Sequence, residues 1–317
     1  MKIALDVMGG DHAPQEMVAG ALLWAASSST QLILVGQEAI INRELQGHSF
    51  DDDKISIEPA TQVIEMDEAV TALRKKQDSS IVVATRLVKE GKADAVVSCG
   101  STAAQMAAAT LILGRLEGIE RPPIVAAVPG LGGKISLLLD VGANVDCKPQ
   151  QLLQFAWLGK VYASILTGND NPRVALLNNG EEESKGNALS VETHQLLKNQ
   201  PDLNFIGNVE GRDLFFAKSD VIICDGFTGN LILKSMEGMA MFIGMACQQE
   251  LGRLPAVFEQ FDYSQAGGAP LLGVNGVSIV CHGSSKREAV FNGIRIAEQC
   301  VSREMIKRQI LALQQTL

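Results

Sequence analysis

The sequence is poor in aromatic residues and histidine, and it carries no excess of positive charge. Only 4% of its 317 residues are Phe, Trp or Tyr, four are His, and the formal net charge is −9. Proteins that bind nucleic acid present an excess of cations on one face, so we expect no nucleic-acid partner. The charge leaves room for a local basic patch that binds an acidic protein. The histidines are scattered along the chain, and we expect no metal site.

Long apolar runs and a secretion signal are also missing. The N-terminus reaches an acidic residue at Asp6, which is too early for the apolar core of a signal peptide. No apolar run approaches the roughly 20 residues of a membrane-spanning helix, and the longest candidate is Met239–Cys247. We expect a cytoplasmic protein, and the sequence leaves open a peripheral contact with the inner face of the cell membrane.

Motifs that usually mark cofactors, metals or covalent catalysis are absent. The six cysteines form no Cys-x-x-Cys pair, and we expect reduced, mostly packed thiols. The segment Gly132–Lys134 lacks the first glycine and the hydroxyl of a P-loop. No dinucleotide-binding glycine motif after a strand, no Gly-x-Ser-x-Gly elbow and no His-Glu-x-x-His sequence occurs. We therefore expect no cofactor.

What the chain does have is a regular alternation of short apolar runs and longer helical patterns. Several runs lack polar alternation, as expected of strands covered by helices on both faces. The alternation predicts an α/β fold with a mostly parallel sheet. The predicted strands are Ile3–Val7, Leu32–Val35, Ile55–Ile57, Ala95–Val97, Ile124–Val128, Ile135–Leu139, Val174–Leu177, Asn204–Ile206, Val221–Cys224 and Val277–Val280. The predicted helices are Glu16–Ser27, Glu38–Gln46, Ser80–Glu90, Thr102–Leu113, Gln150–Leu166, Ala188–Asn199, Asn230–Leu251 and Arg287–Gln315.

No linker rich in Pro, Gly or Ser divides the chain, so we expect residues 1–317 to form a single elaborated α/β domain. A helical projection is predicted at about residues 231–261. Its apolar content is too dense for one stripe of a solvated helix, which favours a dimer interface, with membrane contact as the second interpretation.

Ligands of such sheets bind beyond the carboxyl ends of the strands, and the unusual residues of this sequence lie in those turns. In Asp6–Pro14, Gly9 and Gly10 let the backbone pass close to a ligand, and we expect the carboxylates of Asp6 and Asp11 to orient the loop or to hydrogen-bond a polar group. In Ser98–Ala104, Ser101 or Thr102 can cap the following helix. Free N–H groups in both turns can hold an anion.

Two later turns repeat this pattern. Lys185 lies near the start of a predicted helix, where the helix dipole disfavours a cation unless an anion is bound nearby. The turn Cys224–Asn230 combines an acid, two glycines and a helix start, and His282–Ser285 ends the last strand in a similar way. These turns together predict a site for an anionic substrate.

Taken together, these segments resemble the bacterial phosphate acyltransferase family over nearly the whole chain. The resemblance rests on Asp6–Pro14, Arg74–Lys76 with Ser79–Ser80, Arg121–Pro123, Asp140–Asn144, Asn178–Asn187, Gly207–Asp213, Cys224–Asn230, Gly267–Gly273 and His282–Ser285. It implies a three-layer α/β/α sandwich, similar to phosphotransacetylases and to isocitrate and isopropylmalate dehydrogenases, and a homodimer. Two features depart from the family pattern: in the second turn Ser101 replaces Asn and Ala103 replaces Gly, and the helical region after Asn230 is shorter than in many members.

The resemblance implies reversible transfer of a fatty acyl group from acyl carrier protein to inorganic phosphate, which gives acyl-phosphate for phospholipid synthesis. A membrane glycerol-3-phosphate acyltransferase that uses acyl-phosphate is then a further expected partner. The expected catalytic residues are Lys185 and Asn230. The expected phosphate- or substrate-binding residues are Asp6, Gly9, Gly10, Ser98, Gly100, Ser101, Thr102, Asp225, Gly226, Thr228, Gly229 and His282. The residues expected to dock the carrier protein are Arg74, Lys75 and Lys76.

Three other functions remain open from the sequence. A phosphotransacetylase acting on short acyl-CoA is the nearest, and a metal- and NAD-dependent decarboxylating dehydrogenase shares the expected fold. A non-catalytic scaffold for lipid-synthesis proteins is the third. For the chemistry itself we expect direct transfer to phosphate, because no histidine is placed to activate Cys99 or Cys224 as a nucleophile.

Overall fold

In the computed structural model, which describes residues 1–255 and 267–314, the strands form two separate, mostly parallel sheets. Contacts divide the chain into unit 1, formed by Met1–Leu116 and the described part of Tyr263–Ile306, and unit 2, which holds the remainder. The expectation of a single domain over residues 1–317 stays a prediction.

The sheet of unit 1 has six strands in the order β10-β11-β4-β1-β2-β3, and only β10 runs antiparallel to its neighbour. The sheet of unit 2 has five strands in the order β5-β6-β9-β7-β8, and only β5 is antiparallel. The strands of unit 1 are β1 (Lys2–Asp6), β2 (Gln31–Gly36), β3 (Ile55–Pro59), β4 (Ala95–Ser98), β10 (Ala269–Pro270) and β11 (Val277–Val280). Those of unit 2 are β5 (Val125–Pro129), β6 (Ile135–Leu139), β7 (Val174–Asn178), β8 (Phe205–Glu210) and β9 (Val221–Ile223).

The α-helices of the described residues connect these strands. They are α1 (Gln15–Ser27), α2 (Glu38–Leu45), α3 (Ala72–Lys75), α4 (Ser80–Lys89), α5 (Thr102–Ala108), α6 (Pro149–Thr167), α7 (Ala188–Lys198), α8 (Gly226–Leu251), α9 (Arg287–Ser302) and α10 (Met305–Leu313). A π-helix, Ala109–Leu113, continues α5, and short 3₁₀ helices occur at Leu131–Gly133 and Gly211–Phe216. Within the described ranges, no helix is both long and apolar enough to cross a bilayer.

In unit 1, neighbouring residues of β4 face opposite layers of helices. Val96 belongs to the same buried cluster as Val82 of α4. On the other face, α9 approaches so closely that a Cβ at Gly293 would lie 3.4 Å from Val97 Cγ1. The strands are therefore covered on both faces, which explains their unbroken apolar sequences.

Unit 2 has the same three layers. A Cβ at Gly159 of α6 would lie 2.6 Å from Val221 Cγ1, so α6 lies directly against β9. On the opposite face, Ile222 belongs to a buried cluster against which Ile232 and Met236 of α8 pack. This confirms the predicted α/β class with mostly parallel strands, although the strands form two sheets where the sequence suggested one.

Every strand predicted from the sequence overlaps an observed strand, but two helix predictions need correction. The helix predicted over Arg287–Gln315 is interrupted at Arg303 and Glu304, where Glu304 has a φ of +53°. Residue 315 lies outside the described residues. The helix predicted to run unchanged to Leu113 becomes a π-helix at Ala109. The two-residue strand β10 and the four-residue helix α3 are too short to show a periodic pattern, and the sequence did not predict them.

The predicted helical projection corresponds to most of α8. Of its 26 residues only Gly226, Gly229 and Gly244 are buried. Met241 and Phe242, in its C-terminal half, are 67% and 69% exposed. The helix ends at Leu251, and residues 256–261 of the predicted projection lie outside the described residues.

Candidate active site

The strand order of unit 1 places a switch point between β1 and β4. Strands β2 and β3 follow β1 on one side, while β4 and β11 lie on the other. Open parallel sheets bind ligands at such points, beyond the carboxyl ends of the strands. Asp6 ends β1 and pairs in register with Ser98, which ends β4, so both predicted residues lie at the switch point.

The Asp6 carboxylate joins the two turns that follow these strands. It is 2% exposed, accepts a hydrogen bond from Ser98 Oγ at 2.7 Å and accepts another from Met8 N at 3.2 Å. Ser98 Oγ in turn accepts a hydrogen bond from Gly100 N at 3.0 Å. Burial raises the pKa of the Asp6 carboxyl, and hydrogen bonds from Ser80 and Ser98 offset part of that rise. The Asp6 carboxylate therefore holds the two turns together and is buried away from solvent, and its predicted role in substrate binding stays a prediction.

Two glycines allow these turns to touch. A Cβ at Gly9 would lie 2.7 Å from Asp6 Oδ2 and 2.8 Å from Gly100 N, closer than real Cβ atoms come. Gly10 has a φ of +110°, which residues with side chains rarely adopt. The close approach of the two backbones therefore requires glycine at position 9, and the backbone conformation requires it at position 10.

Ser101 caps the helix α5, whereas Thr102 is exposed. Ser101 is the N-cap of α5, and its buried hydroxyl accepts a hydrogen bond from Ala104 N at 3.4 Å. Thr102 begins the helix and is exposed. Of the two, only Thr102 presents its side chain openly to solvent.

The His282 turn joins the same end of the sheet. Asp11 N donates a hydrogen bond to Gly283 O at 2.8 Å, which ties this turn to the first one. His282 is exposed, and its Nδ1 accepts a hydrogen bond from Ser284 N at 3.2 Å. Because Nδ1 acts as an acceptor, the proton of the neutral ring resides on Nε2. Unit 1 thus gathers the predicted residues Asp6, Gly9, Gly10, Ser98, Gly100, Ser101, Thr102 and His282.

Unit 2 has its own switch point, between β7 and β9. Strand β8 lies on one side of β7, whereas β9 and β6 lie on the other. A cleft of about 370 Å³ opens at the carboxyl ends of β7 and β9, which is where ligands of such sheets bind. Its lining residues are Leu152, Leu176, Leu177, Asn178, Asn179, Gly186, Asn187, Leu189, Ser190, Gly211, Cys224, Asp225, Thr228 and Ile232. Amides, hydroxyls and a carboxylate thus share the cleft with a group of leucines.

The N-terminus of α8 opens at this cleft. Asp225 is the N-cap, and its Oδ1 accepts a hydrogen bond from Thr228 N at 2.8 Å. Thr228 Oγ1 donates to the other carboxylate oxygen, also at 2.8 Å. Asp225 therefore stabilises the helix start, and Thr228 lies in the cleft with its hydroxyl already directed toward a carboxylate.

The first turn of α8 packs tightly on the loop Asp140–Asn144. Gly226 N donates a hydrogen bond to Asn144 O at 2.8 Å, and a Cβ at Gly226 would lie 2.7 Å from that oxygen. A Cβ at Gly229 would lie 1.9 Å from Asp140 O. Both glycines are thus required for packing, whether or not they also contact substrate.

That loop is held by the fully buried carboxylate of Asp140. Its Oδ1 accepts hydrogen bonds from Ile124 N at 2.9 Å and Ala143 N at 3.2 Å. Its Oδ2 accepts from Asn144 N at 2.6 Å and from Asn144 Nδ2 at 2.8 Å. Burial raises the pKa of Asp140, and these backbone hydrogen bonds act in the opposite direction. Asp140 therefore fixes the surface against which the α8 turn is built.

Lys185 lies in the turn between β7 and α7, two residues before the N-cap Asn187. Its carbonyl oxygen accepts a hydrogen bond from Asn178 Nδ2 at 3.0 Å, and Asn178 lines the cleft. The Lys185 side chain is exposed and forms no ion pair with the part of the chain that is described. The predicted cation is thus beside the cleft, outside the first turn of the helix.

Asn230, the other residue predicted to be catalytic, is in the first turns of α8. It is exposed, and its side chain lies against Gly142, where a Cβ would be 3.5 Å from Asn230 Cγ. Neither Asn230 nor Lys185 is among the residues that line the cleft. Unit 2 thus holds Lys185, Asp225, Gly226, Thr228, Gly229 and Asn230, and the catalytic roles stay predictions.

A cluster of three acidic side chains resembles a metal site, but basic side chains of the protein pair with it. Glu181, Glu210 and Asp213 bring carboxylate oxygens within 4.8 Å of one another. Lys218 pairs with Asp213 at 2.7 Å and Glu181 at 3.5 Å, and Arg212 pairs with Glu210. We interpret the cluster as an ion-pair network.

Sequence reasoning missed several polar residues of the cleft. Asn187 caps α7 by accepting a hydrogen bond from Ser190 N at 2.9 Å, and both residues line the cleft.

Asp140 was noted only for its resemblance to the family pattern. An acid directly after a strand, followed by Gly and Asn, was the available signal for its role in holding a loop.

Comparisons with known proteins agree with this architecture. A phosphotransacetylase from Streptococcus pyogenes superposes with a TM-score of 0.66 over 95% of this chain and 94% of that protein, at 20% identity. The chain therefore shares its α/β fold with that protein. Residues 1–308 match the model of the family described as fatty acid synthesis protein.

The sequence comparisons narrow the assignment. The phosphate acyltransferase of Syntrophomonas wolfei is 62% identical over 315 residues, covering 99% of this chain and 98% of the relative. That of Desulforamulus reducens is 50% identical over 320 residues, covering 96% and 95%. The chain belongs to the phosphate acyltransferase family.

We predict that Asp140→Asn destabilises the protein by about 1–3 kcal/mol, because an amide NH₂ would face backbone N–H groups that now donate to a carboxylate. Urea unfolding measures this, with the exposed Asp146→Asn as the matched control. A free energy of unfolding within about 0.5 kcal/mol of the wild type would contradict the structural role of Asp140.

Proposed function

We propose that the protein transfers a fatty acyl group from acyl carrier protein to inorganic phosphate and releases acyl-phosphate. The observation that carries this proposal is the 62% identity with a phosphate acyltransferase over nearly the full length of both chains. The protein is an acyltransferase, and both substrates are acidic, which suits turns rich in backbone N–H groups and nearby cations.

In the proposed reaction, a phosphate oxygen attacks the carbonyl carbon of the thioester. A tetrahedral oxyanion forms, the carbon–sulfur bond breaks, and the pantetheine thiolate of the carrier leaves. A substantial share of phosphate is already the dianion near neutral pH, so no strong base is needed. The protein must then hold the nucleophile in position and stabilise the oxyanion.

Unit 2 offers groups for both tasks. Lys185 is an exposed cation next to the cleft, and Thr228 brings a hydroxyl into it. The N-terminus of α8, a 26-residue helix, adds a partial positive charge at the same place. We assign Lys185 to phosphate or the oxyanion, with Asn230 as a hydrogen-bond donor; Thr228 already donates its hydroxyl proton to Asp225 and can only accept.

The activity is tested by incubating the protein with palmitoyl carrier protein and phosphate and measuring acyl-phosphate. Parallel reactions with acetyl-CoA test the phosphotransacetylase alternative, and NADH formation from 3-substituted malates tests the dehydrogenase. Turnover with purified soluble substrates would exclude a purely non-catalytic scaffold. Failure to form acyl-phosphate from any carrier thioester would refute the proposal.

We predict that Lys185→Ala lowers kcat/KM for phosphate roughly 30- to 1,000-fold, because a charge-assisted hydrogen bond to the transition state contributes about 2–4 kcal/mol. Phosphorolysis of palmitoyl carrier protein measures the loss. Lys92→Ala removes an exposed lysine from unit 1 and should keep full activity. A folded Lys185→Ala protein with near-normal rates would end the assignment.

Direct transfer predicts that Cys99→Ala and Cys224→Ala each keep most of the activity. Burial raises the pKa of the Cys224 thiol well above its usual range, and the nearby charges of Asp225 and Asp140 raise it further. Cys99 is fully buried. The raised pKa disfavours the nucleophilic thiolate at Cys224, and burial keeps Cys99 away from a substrate, so neither thiol suits covalent catalysis. A hydroxylamine-sensitive acyl group trapped on either cysteine would contradict this prediction.

For the carrier protein we propose docking at Arg74 and Lys75 of α3, which are both exposed. Lys76, the third predicted docking residue, is already engaged. Its Nζ donates to Val63 O at 2.7 Å and pairs with Glu68 at 2.6 Å, where its hydrogen bond lowers the pKa of that carboxyl. Lys76 therefore holds the preceding loop, and its charge is paired with Glu68.

We predict that reversing both charges, Arg74→Glu with Lys75→Glu, raises the apparent KM for acyl carrier protein several-fold and weakens its dependence on salt. Such patches mainly raise the association rate, so kcat at saturation should change little. Steady-state kinetics at several ionic strengths measure both effects. The matched control is Arg43→Glu with Lys92→Glu; an equal rise in KM there, or no rise in the test variant, places docking elsewhere.

We further propose that the exposed face of α8 forms a homodimer interface, with weak contact at the inner face of the membrane as the secondary use. Methionines adapt to irregular partners, and Met239, Met241 and Met245 are all exposed. Lys234 is the only cation between Leu231 and Leu251, whereas helices bound to anionic lipid usually display several. A partner acyltransferase in the membrane would then receive acyl-phosphate from a protein with only transient membrane contact.

We predict that Met241→Asp with Phe242→Asp yields monomers in sedimentation experiments, because burying two carboxylates in an apolar interface is unfavourable. The exposed polar Gln249→Asp is the control and should leave the assembly unchanged. If the double variant remains dimeric but no longer pellets with anionic liposomes, the membrane interpretation replaces the interface.

A further inference from the structure

We propose that His194 and Asn208 are positioning residues for Lys185, acting through the turn Asn179–Asn187, here called the Lys185 turn. This inference rests on the proposed role of Lys185. Neither residue was expected to act in the site, and neither lines the cleft. Both are buried, at 3% and 7% exposure, behind the turn that carries the cation.

A continuous chain of hydrogen bonds links His194 to the Lys185 backbone. His194 Nδ1 lies 2.9 Å from Asn208 Oδ1, and Asn208 Nδ2 donates to Glu182 O at 2.9 Å. Lys185 N donates to the same Glu182 oxygen at 3.1 Å. The side-chain NH₂ of Asn208 and the backbone N–H of Lys185 thus donate to the same carbonyl oxygen. A shift of Asn208 would therefore act on the Lys185 backbone through Glu182.

The hydrogen-bond roles in this chain are determined by chemistry. Asn208 uses its NH₂ on the Glu182 carbonyl, so its oxygen faces His194, and His194 Nδ1 must carry the proton. The ring packs edge-on against Phe205, with centroids 5.1 Å apart and planes at 75°. Its Nε2 lies 3.9 Å from Glu183 Oε1, a second residue of the same turn. The imidazole therefore holds the Asn208 amide in one orientation.

This arrangement matters because the Lys185 side chain forms no ion pair with the described residues, so the backbone of the turn sets the point from which the amine extends past Gly180. Asn178 Nδ2 holds the Lys185 carbonyl at 3.0 Å, and the chain through Asn208 holds its N–H side. The backbone of Lys185 is thus held on both sides of its Cα. A displacement of about 1 Å in a positioned group can lower a rate by up to ~10²-fold.

The principal test compares His194→Phe with His194→Asn. Phe keeps an aromatic ring against Phe205 but cannot donate to Asn208, whereas Asn can place an N–H where Nδ1 lies. We expect His194→Phe to lower kcat/KM for phosphate about 10- to 100-fold and His194→Asn to recover most of it. Thr193→Val is the matched control, since it alters a buried neighbour outside the chain of hydrogen bonds and should keep full activity.

Two further measurements separate positioning from a general loss of structure. Hydrogen exchange should accelerate in residues 179–187 of His194→Phe and stay unchanged in α6. In a double-mutant cycle, His194→Phe should have no added effect on kcat/KM in the Lys185→Ala background, because both changes remove one function.

The outcomes distinguish this inference from the role of Lys185 itself. Near-normal turnover of Lys185→Ala would refute that role directly. If Lys185→Ala is impaired but the two effects multiply in the double variant, His194 acts independently of Lys185 and the inference is wrong. It is also wrong if exchange of the turn accelerates in His194→Phe while kcat/KM for phosphate stays normal.

Discussion

A buried carboxylate at the end of a β-strand holds the turns at the candidate site in each unit. In unit 1, Asp6 accepts hydrogen bonds from Ser98 and from the backbone of its own turn. In unit 2, Asp140 gathers four N–H donors around one loop. A buried carboxylate is unfavourable unless it is fully hydrogen-bonded, so each one selects a single arrangement of the backbone around it.

Close backbone contact extends this constraint to the neighbouring turns. Gly9 lies against Gly100 in unit 1, and Gly229 lies against Asp140 in unit 2. A side chain at either glycine would force the turns apart and would break the hydrogen bonds that the carboxylates accept. The glycines and the buried acids therefore depend on each other, and together they keep the strand ends open to a ligand.

Lys185 differs from the buried carboxylates because its side chain is exposed while its backbone is hydrogen-bonded on both sides. A lysine ammonium is strongly hydrated, and burying it without a partner would be costly. An exposed amine avoids that penalty and can still meet a phosphate group at the cleft. The turn from which its flexible side chain extends is held by Asn178 and Asn208.

Much of this could be read from the chain itself. The apolar runs predicted all the observed strands of the described residues except the two-residue β10. A strand covered on both faces needs apolar residues throughout, and this makes it visible in the sequence. The turns were also recognised locally, because glycines and acidic residues directly follow the apolar runs. The interruption at Glu304 and the pairing of Lys76 with Glu68 were not predictable, since neither changes the periodic pattern.

The sequence alone therefore determined the α/β class, the strands and the turns in which the candidate residues lie, since these follow from local periodicity and turn chemistry. Only the tertiary structure decided that the strands form two sheets and that the predicted residues fall into two groups. It also decided that Asp140 holds a loop and that His194 reaches Lys185 through Asn208 and Glu182. Those relations join residues far apart in sequence, and the order in which strands pair is not encoded in any single segment.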